Sequence, residues 1–351
     1  MQSIYKCFAF LTHKIQDNIQ ENIQENILYA TDLIEHERYL CYNVSMDIQK
    51  KKSLSAKLLL LFTTIIWGST FVVLKDTLDS LPMYFILTVR FLIGGIIVGC
   101  MAPKRWKSFT PDMLWRAGLT GVVLAGAYIT QTIGLNHTTP GNNAFLTATY
   151  AVMVPFMMWA VTKKAPTVFN IIAAMLGIVG IGLVSFDGGL GSFNFMGEGM
   201  TLVCSVFFAL QILFIAVFGK GKDSIVFTSI QLVTAGLIMM IIYLATEVHQ
   251  PISIDFDSGW RLAYLTIMGT SFALFAMTWG MAHTEASSAS LIMSLESVFG
   301  VIFSIAIYKE KLTLQVGIGF SVIFVALIIS EYINELYLSG KLKLPLKKHK
   351  K

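Results

Sequence analysis

Ten runs of about twenty apolar residues follow one another between Leu58 and position 332. A helix rises about 1.5 Å per residue, so about 20 apolar residues are needed to cross a hydrocarbon core of roughly 30 Å. The runs cover approximately residues 58–75, 82–101, 115–135, 142–162, 168–186, 198–218, 225–245, 260–281, 286–308 and 312–332. Only a few residues separate them, which leaves no room for a soluble domain. The sequence therefore predicts an all-α integral membrane protein with ten transmembrane helices.

The composition agrees with this class and excludes others. Charged residues make up 13% of the chain, against about 25% in ordinary soluble domains, so the polar surface cannot cover the apolar mass in water. A soluble enzyme is excluded, and so is a disordered protein, because disorder requires low hydrophobicity and 55% of these residues are hydrophobic. The four cysteines show no spacing typical of a zinc site or a disulfide framework.

The distribution of Lys and Arg predicts the orientation. Short loops rich in these residues stay in the cytoplasm. With the N-terminus inside, the inner segments hold 18 Lys and Arg and the outer segments hold 4. We therefore expect both termini to face the cytoplasm from a multi-pass protein of the cell (plasma or inner) membrane. The basic tail, residues 333–351, belongs to this pattern and is not expected to bind nucleic acid.

The first 55 residues differ from the rest. Isoleucine recurs at every fourth position at Ile15, Ile19, Ile23 and Ile27, which is compatible with a short amphipathic helix. Met46, followed by DIQKKK and the first span, is also a natural beginning for such a protein. We interpret residues 1–55 as a polar leader that is either disordered or the product of a wrongly assigned start.

A weak internal repeat divides the spans into two groups. A shift of 145 places Ala144 on Ala289, and a shift of 146 places Thr167 on Thr313. The predicted repeats are residues 56–187 and 197–332, with five helices each. Because five is odd, the second repeat must enter the membrane in the opposite orientation. Inverted repeats that enclose a site near the midplane are typical of secondary carriers.

Several motifs lie in register with this layout. The first span contains WGSTF (residues 67–71), the second has Arg90 before FLIGG, and the fourth has Pro155 within the helix. The ninth contains SLESVF (residues 294–299) ahead of Lys309 and Glu310. Over residues 56–332 the chain resembles the EamA family of the drug/metabolite transporter superfamily. It departs from the family at Ser297, where a proline usually follows the glutamate, so a bend at this place is in doubt.

The resemblance implies a ten-helix carrier that exports an amino acid or a similar small metabolite by alternating access. The alternative is a membrane protein that does not transport and instead handles lipid or acts as a scaffold or receptor. The expected partners are a small-molecule substrate, membrane lipid, and a coupling proton or an exchanged solute. The sequence does not predict the oligomeric state.

Two charged residues are predicted near the centre of the membrane, where a charge costs about 2.5 to 3.5 kcal/mol on insertion scales. Arg90 is about nine residues into its span and Glu296 about eleven. In one hypothesis they line a central cavity, Arg90 binding a substrate carboxylate and Glu296 an ammonium group or a coupling proton. In the other they pair with each other or with backbone carbonyls as structural groups.

Further cavity candidates are uncharged. Asn142, Asn143 and Ser288 occupy nearly equivalent places at the starts of the fourth and ninth spans, where free N–H groups favour polar ligands. Tyr150 offers a ring for stacking or cation–π contact. Trp67 is surrounded in sequence by small residues that admit a ligand or a neighbouring helix. For all of these, helix packing is the alternative role.

The motifs of catalysis are missing from the sequence. It contains no GxxxxGK[ST], HExxH or GxSxG, and its six histidines are scattered. We therefore expect no enzymatic activity, no catalytic residues, no cofactor and no metal site. Without an ATP-binding loop, the energy for transport would come from a gradient or an exchanged solute.

Overall fold

The computed structural model describes residues 54–163, 165–185, 193–283 and 286–339, and within these ranges it contains helices and no strands. The main helices are α1 (Leu54–Leu78), α2 (Met83–Met101), α3 (Pro111–His137), α4 (Pro140–Thr162), α5 (Val168–Ser185), α6 (Phe195–Phe218), α7 (Ser224–Thr246), α8 (Phe256–His283), α9 (Ala286–Tyr308) and α10 (Leu314–Ile328).

Seven of these helices, α1 to α4 and α6 to α8, are long and apolar enough to cross a membrane within the described part of the chain. The apolar segments Val168–Val184, Ile292–Tyr308 and Leu314–Ile328 are shorter. The prediction of an all-α membrane protein is therefore supported, and each predicted span corresponds to a helix. Residues 1–53 of the predicted leader and residues 340–351 of the predicted tail lie outside the described residues.

The helical path after α10 extends beyond the predicted span. A π-helical turn, Ile329–Ile333, leads into a short helix, Asn334–Leu338. The boundary drawn at residue 333 between the last span and the tail therefore falls inside a continuous helical path. The apolar run ends near residue 332, but backbone hydrogen bonding does not need apolar side chains to continue.

The helix starts follow from local sequence. The side chain of Thr110 accepts a hydrogen bond from Met113 N ahead of Pro111, and Thr139 does the same for Asn142 N ahead of Pro140. Asp255 and Ser258 form a capping box at the start of α8. These caps satisfy N–H groups that a helix leaves without internal partners, and proline is favoured at the first helical position.

Equivalent helices of the two halves pack against each other: α2 with α7, α4 with α9, and α5 with α10. All three pairs have glycine at a close approach, and a Cβ on Gly300 of α9 would clash with Ala144 Cβ of α4. A Cβ on Gly236 would lie 2.5 Å from Leu92 N, and one on Gly180 would lie 3.0 Å from Gly319 O. Small residues let helix backbones approach in this way. The glycines therefore form part of the contact between the halves.

The bundle has two ends. At the first, which we call the Glu310 end, the C-termini of α1, α3 and α9 meet the N-terminus of α4. At the second, the lysine-rich end, the 102–110 turn contacts the 219–223 turn through an ion pair of Arg105 with Asp223 at 3.0 Å. Lys222 also binds Asp112 there, at 2.9 Å. The predicted grouping of these two basic turns at one end is therefore what the structure has.

Regular α-helix continues through Ser297, the position where a bend was in doubt. α9 is continuous from Ala286 to Tyr308, and the Ser297 hydroxyl donates to Ser294 O at 2.8 Å. In α4, by contrast, regular α-helix pauses at Thr149 and Pro155 lies inside the following segment. Of these two helices, α4 therefore contains the interruption of regular helix, and α9 is regular.

Candidate functional site

A cavity with about 410 Å³ of atom-free space lies where six helices meet. The helices are α1, α3 and α4 from the first half and α6, α8 and α9 from the second. Its lining residues are Trp67, Thr70, Phe71, Tyr128, Gln131, Tyr150, Phe208, Gln211, Ile212, Met277, Met293 and Glu296. Each half contributes six of them, so the cavity does not belong to either half alone.

The lining residues of α1 and α6 are in matching register. Trp67, Thr70 and Phe71 are each 141 residues before Phe208, Gln211 and Ile212, so the two helices present the same set of positions to the cavity. In the pair α4 and α9, Tyr150 is 146 residues before Glu296. The separation of 146 is the one that relates Thr167 to Thr313. The cavity is therefore built from equivalent positions of the two halves.

Glu296 is the charged residue of this lining. Its side chain comes from the middle of α9 and is 5% exposed. Tyr150 lies within hydrogen-bonding reach of its carboxyl group. In the part of the chain that the structure describes, four ion pairs occur, and Glu296 belongs to none of them. A buried carboxylate without a counter-ion is costly, which makes this position a candidate for binding a cation or a proton.

Arg90 lies behind the cavity wall. Its guanidinium carbon is 5.3 Å from the centre of the Tyr128 ring and 5.8 Å from that of Phe91, and its Nε donates to Thr270 Oγ1 at 3.2 Å. Its Nη1 is buried without a hydrogen-bond partner. Arg90 is 1% exposed and is not a lining residue. The guanidinium therefore contacts a ring of the cavity wall without being part of the lining itself.

Two π-helical turns hold this arginine in place. Arg90 belongs to the turn Val89–Ile93 of α2, and Thr270 belongs to the turn Ile267–Phe272 of α8. Such turns shift the side chains that follow and are frequent at functional sites. The same turn of α8 presents the carbonyl of Gly269, which accepts a hydrogen bond from Trp67 Nε1 at 3.0 Å. Arg90 and Trp67 are thus both bound to one irregular segment.

Polar side chains other than Glu296 also reach the cavity. Gln211 is fully buried, and neither its amide nitrogen nor its amide oxygen has a hydrogen-bond partner. Gln131 is engaged, since its Nε2 donates to Thr147 Oγ1 at 3.4 Å. Buried amides are normally satisfied by protein or water, so an unsatisfied amide at a cavity wall is a candidate for contact with a bound molecule.

Hydrogen bonds link several helices at the Glu310 end. Lys75 donates to three carbonyl oxygens at the C-terminus of α3, the nearest at 2.7 Å. The Thr139 hydroxyl donates to Glu310 Oε1 at 2.6 Å, and the Tyr308 hydroxyl donates to Asp76. These contacts join α1 to α3 and α9, and α4 to the segment after α9. They close the bundle on that side of the cavity.

A wider space lies on the other side. About 1480 Å³ of atom-free space lies between the 219–223 turn and the C-terminal part of α8. Its lining includes Ile215 and Met281, which are one helical turn from the cavity residues Ile212 and Met277 toward the lysine-rich end. The cavity is therefore flanked by a hydrogen-bonded end and by an end with a broad recess.

Comparison with known proteins identifies the family. The sequence model of the EamA-like transporter family matches residues 54–186 and 195–332. The chain belongs to the EamA-like transporter family. It is therefore a membrane transporter that acts on a small-molecule substrate in a lipid environment, and this membership implies transport and not enzymatic activity.

The transporter has relatives among bacteria and archaea. It is 30% identical to an uncharacterized transporter of Archaeoglobus fulgidus, over 79% of this chain and 86% of the other. It is 26% identical to the uncharacterized transporter YvbV of Bacillus subtilis, over 75% of this chain and 87% of the other. A solved crystal structure matches with a TM-score of 0.61 at 15% identity, over 81% of this chain and 98% of that one, and shows that the fold is shared.

The structure brings three of the predicted site residues of the transporter together. Trp67, Tyr150 and Glu296 line the same cavity. Arg90 is next to it but behind Tyr128, and it forms no ion pair with Glu296 in the described residues. The hypothesis that the two charges pair with each other is therefore wrong for this structure. Their predicted roles in binding remain predictions.

The predicted helix-start residues lie apart from the cavity lining. Asn143 Nδ2 donates to Thr201 Oγ1 at 2.7 Å and to Gln131 O at 3.3 Å, which joins α4 to α6 and α3. Asn142 is in the first turn of α4 and its Oδ1 is buried without a partner. The side chain of Ser288 lies outside the described residues. In the described part of the chain, no three His, Cys, Asp or Glu residues are grouped as for a metal ion.

Nine lining residues were not among the predicted cavity candidates: Thr70, Phe71, Tyr128, Gln131, Phe208, Gln211, Ile212, Met277 and Met293. One signal was available for two of them. A shift of 141 places the WGSTF motif on residues 208–212, and it would have placed Phe208 opposite Trp67 and Gln211 opposite Thr70. For Tyr128, Met277 and Met293 we find no such signal, because aromatic and methionine side chains are ordinary in any apolar helix.

Proposed function

We propose that this chain is a secondary transporter that crosses the membrane ten times, as two five-helix halves of opposite orientation, and carries a small metabolite by alternating access. The observation that supports this most directly is the cavity wall, to which both halves contribute six residues, four of them in matching pairs. Two similar halves in opposite orientation can exchange conformations, and this exchange would open the same site to either side in turn.

Helix packing supports the inverted arrangement. Equivalent helices contact each other in the pairs α2 and α7, α4 and α9, and α5 and α10, as expected about a twofold axis between the halves. The three helices with shorter apolar segments, α5, α9 and α10, pack in these pairs or contact the cavity helices. We propose that they cross the membrane with the other seven, since a helix can tilt or locally thin the bilayer to match its length.

The two ends of the bundle support a conformation open to the cytoplasm. We place the lysine-rich end and both termini in the cytoplasm of the cell membrane, because short loops rich in Lys and Arg stay inside. The Glu310 end would then be the outer gate, closed by Lys75, the Asp76 pair with Tyr308, and the Thr139 pair with Glu310. Release to the outside would require these hydrogen bonds to break. Export is the direction expected from the family resemblance.

Transport is tested by counterflow with the full-length protein in proteoliposomes, screened with amino acids, nucleosides and cationic drugs. We expect saturable exchange of at least one class, with a loss of at least about tenfold in rate for Trp67→Ala, whose side chain lines the cavity. Trp159→Ala is the matched control, because Trp159 is 48% exposed on the outside of α4. Equal rates for the two variants, or no exchange above protein-free vesicles, would contradict the proposal.

Topology is tested separately by labelling single cysteines in a background whose native cysteines are replaced by alanine. Ser108→Cys and Lys220→Cys lie in the two turns of the lysine-rich end, and Asp79→Cys and His249→Cys lie in turns expected at the outer face. We expect an impermeant maleimide added outside intact cells to modify only the second pair. Labelling of Ser108→Cys and Lys220→Cys from outside would reverse the orientation, and labelling of one member of each pair would exclude the ten-span arrangement.

A further inference from the structure

We infer that the cavity binds an organic monocation, an ammonium group on an aromatic or aliphatic body that also has one neutral hydrogen-bonding group. This inference rests on the proposed function, since it names the class of substrate that the transporter would carry. Three features of the wall support it independently: the sign of its charge, its aromatic rings, and a buried amide without a partner.

The first feature is the charge. Glu296 brings a buried carboxyl group to the wall, and no lysine, arginine or histidine is among the described lining residues. Arg90 is next to the Tyr128 ring but outside the lining, and its Nε donates to Thr270 Oγ1. A buried carboxylate is stabilised by a counter-ion that enters the same low-dielectric space. A cationic ligand would supply that charge, whereas the carboxylate group of an anion would meet Glu296 without direct access to Arg90.

The second feature is aromatic. Trp67, Phe71, Tyr128, Tyr150 and Phe208 contribute five rings to one cavity. Ring faces attract cations, most strongly when water is excluded, and cages of such rings recognise quaternary ammonium groups. Arg90 already lies on one side of Tyr128, so that ring offers less to a ligand than the others. The rings at equivalent positions of α1 and α6, Trp67 and Phe208, are then the main candidates to contact the ammonium group or the body attached to it.

The third feature is the amide of Gln211. It is fully buried in the wall, with donor and acceptor both without partners. An ammonium group with four carbon substituents accepts no hydrogen bond and donates none, so it would leave this amide unsatisfied. A hydroxyl, ester or amide elsewhere on the ligand would satisfy it.

The test compares four probes of similar size that differ in charge. Benzoylcholine is a cation with a ring and an ester, and 3,3-dimethylbutyl benzoate replaces its nitrogen with carbon. Phenylalanine supplies a zwitterion and 3-phenylpropionate an anion. Dissociation constants are measured by calorimetry on the full-length protein in detergent. We expect benzoylcholine to bind about tenfold or more tightly than the neutral ester, from carboxylate and cation–π attraction together, and more tightly than the zwitterion and the anion.

Two variants test whether Glu296 causes the tighter binding of the cation. Glu296→Gln should remove the advantage of the cation over the neutral ester. Glu247→Gln removes the same charge far from the cavity, where the Gln oxygen can still accept the hydrogen bond that Tyr84 N donates to Glu247, and it should leave the advantage unchanged. The comparison among probes uses the unchanged protein, so it holds even if Glu296→Gln does not fold.

Each other outcome overturns the inference. Absence of benzoylcholine binding, equal binding of the cation and its neutral isostere, tighter binding of the anion or zwitterion, or an unchanged preference in Glu296→Gln would each do so. The counterflow assay on the same preparation separates this failure from that of the proposed function. If another solute is exchanged with dependence on Trp67, transport through the cavity stands and only the cation assignment falls. If nothing is exchanged, the proposed function itself is wrong.

Discussion

The first half of the chain surrounds the cavity mainly with aromatic and hydroxyl groups, and the second half mainly with aliphatic, methionine and amide groups and one carboxyl group. Trp67 corresponds in position to Phe208, Thr70 to Gln211, and Tyr150 to Glu296. The backbones of the two halves thus present the same positions with different chemistry. In the proposed inverted repeat the two halves supply equivalent frameworks, and the side chains at those positions make the site asymmetric.

The comparison extends beyond the cavity. Gly68 of α1 is 141 residues before Ala209 of α6, which places the two at equivalent positions. Ala209 has a methyl group and Gly68 has none. The caps Thr110 of α3 and Asp255 of α8 are 145 residues apart, and only the second is titratable. Equivalent positions with different side chains allow each half to act as the control for the other.

The largest effect is expected where the halves differ in charge. Glu296→Gln should lower the rate of substrate counterflow by about a hundredfold, because it removes the formal charge from the wall, and losing a charged partner in a desolvated site costs about 2 to 5 kcal/mol. Tyr150→Phe, at the equivalent position of α4, removes one hydroxyl and should lower the rate by about tenfold or less. Counterflow in proteoliposomes measures both. An equal loss in the two variants would mean that the charge has no special role.

The next effect concerns packing. A methyl group on Gly68 would lie 2.5 Å from Phe299 Cβ and 2.8 Å from Gly300 N, so α1 and α9 would have to separate. Gly68→Ala should reduce the free energy of unfolding by about 2 kcal/mol, as overpacking of a core does. Ala209→Gly, the reverse change in α6, should cost about 1 to 2 kcal/mol, through helix propensity and the loss of a buried methyl group. Denaturant unfolding in detergent measures both, and a neutral Gly68→Ala would show that the helices are not in contact as described.

A smaller effect of opposite sign is expected at the buried amide. Gln211→Leu removes two unsatisfied polar atoms and should raise the free energy of unfolding by about 1 kcal/mol in the absence of ligand. Thr70→Val, at the equivalent position of α1, removes a hydroxyl that donates to Trp67 O at 2.7 Å. This change should lower the free energy of unfolding by about 0.5 kcal/mol. The same unfolding measurements decide the sign. A destabilising Gln211→Leu would show that the amide has partners in the protein.

The smallest effect depends on pH. Hydrogen bonds from the Ser258 side chain and backbone hold the pKa of Asp255 below its ordinary value of 3.8. Because the folded pKa is the lower one, the stabilisation of the α8 start is fully present above pH 3.8 and is lost as the pH falls through the folded pKa. Thr110, the cap of α3, does not titrate.

Hydrogen exchange of the first turns of α8 and α3, corrected for the intrinsic effect of pH, measures this difference. Acid should increase exchange at the start of α8 and leave the start of α3 less affected, and Asp255→Ser should abolish the difference. Equal acid sensitivity of the two starts would show that the cap of α8 does not depend on the Asp255 carboxylate.

The helices were predictable because each one is specified locally. An apolar run of sufficient length, with Thr110 and Pro111 before α3 or Thr139 and Pro140 before α4, contains its own start and favours a helix wherever it lies. The two predicted charges were found for a similar reason, since Arg90 and Glu296 stand out in apolar surroundings. The end of α10 was missed because hydropathy decreases there while the backbone remains helical through Leu338.

The contacts of those charges were not predictable. Counting residues from the end of each span predicts that both lie near the midplane of the membrane. In the structure Glu296 lines the cavity, whereas Arg90 contacts the Tyr128 ring and is not in the lining. The difference depends on two π-helical turns, which rotate the side chains beyond them, and on which helix packs beside each residue. A count along one helix gives depth in the membrane, but it gives neither rotation about the helix axis nor the identity of the neighbour.

The sequence by itself determined the class of the protein and its ten apolar helices, because these depend on the composition and length of continuous segments. Only the tertiary structure decided that Trp67, Tyr150 and Glu296 share one cavity with Gln211, and that Arg90 and Asn143 do not line it. The reason is that a cavity wall is made by six helices from distant parts of the chain, and the rotation of each helix is set by its packing against the others.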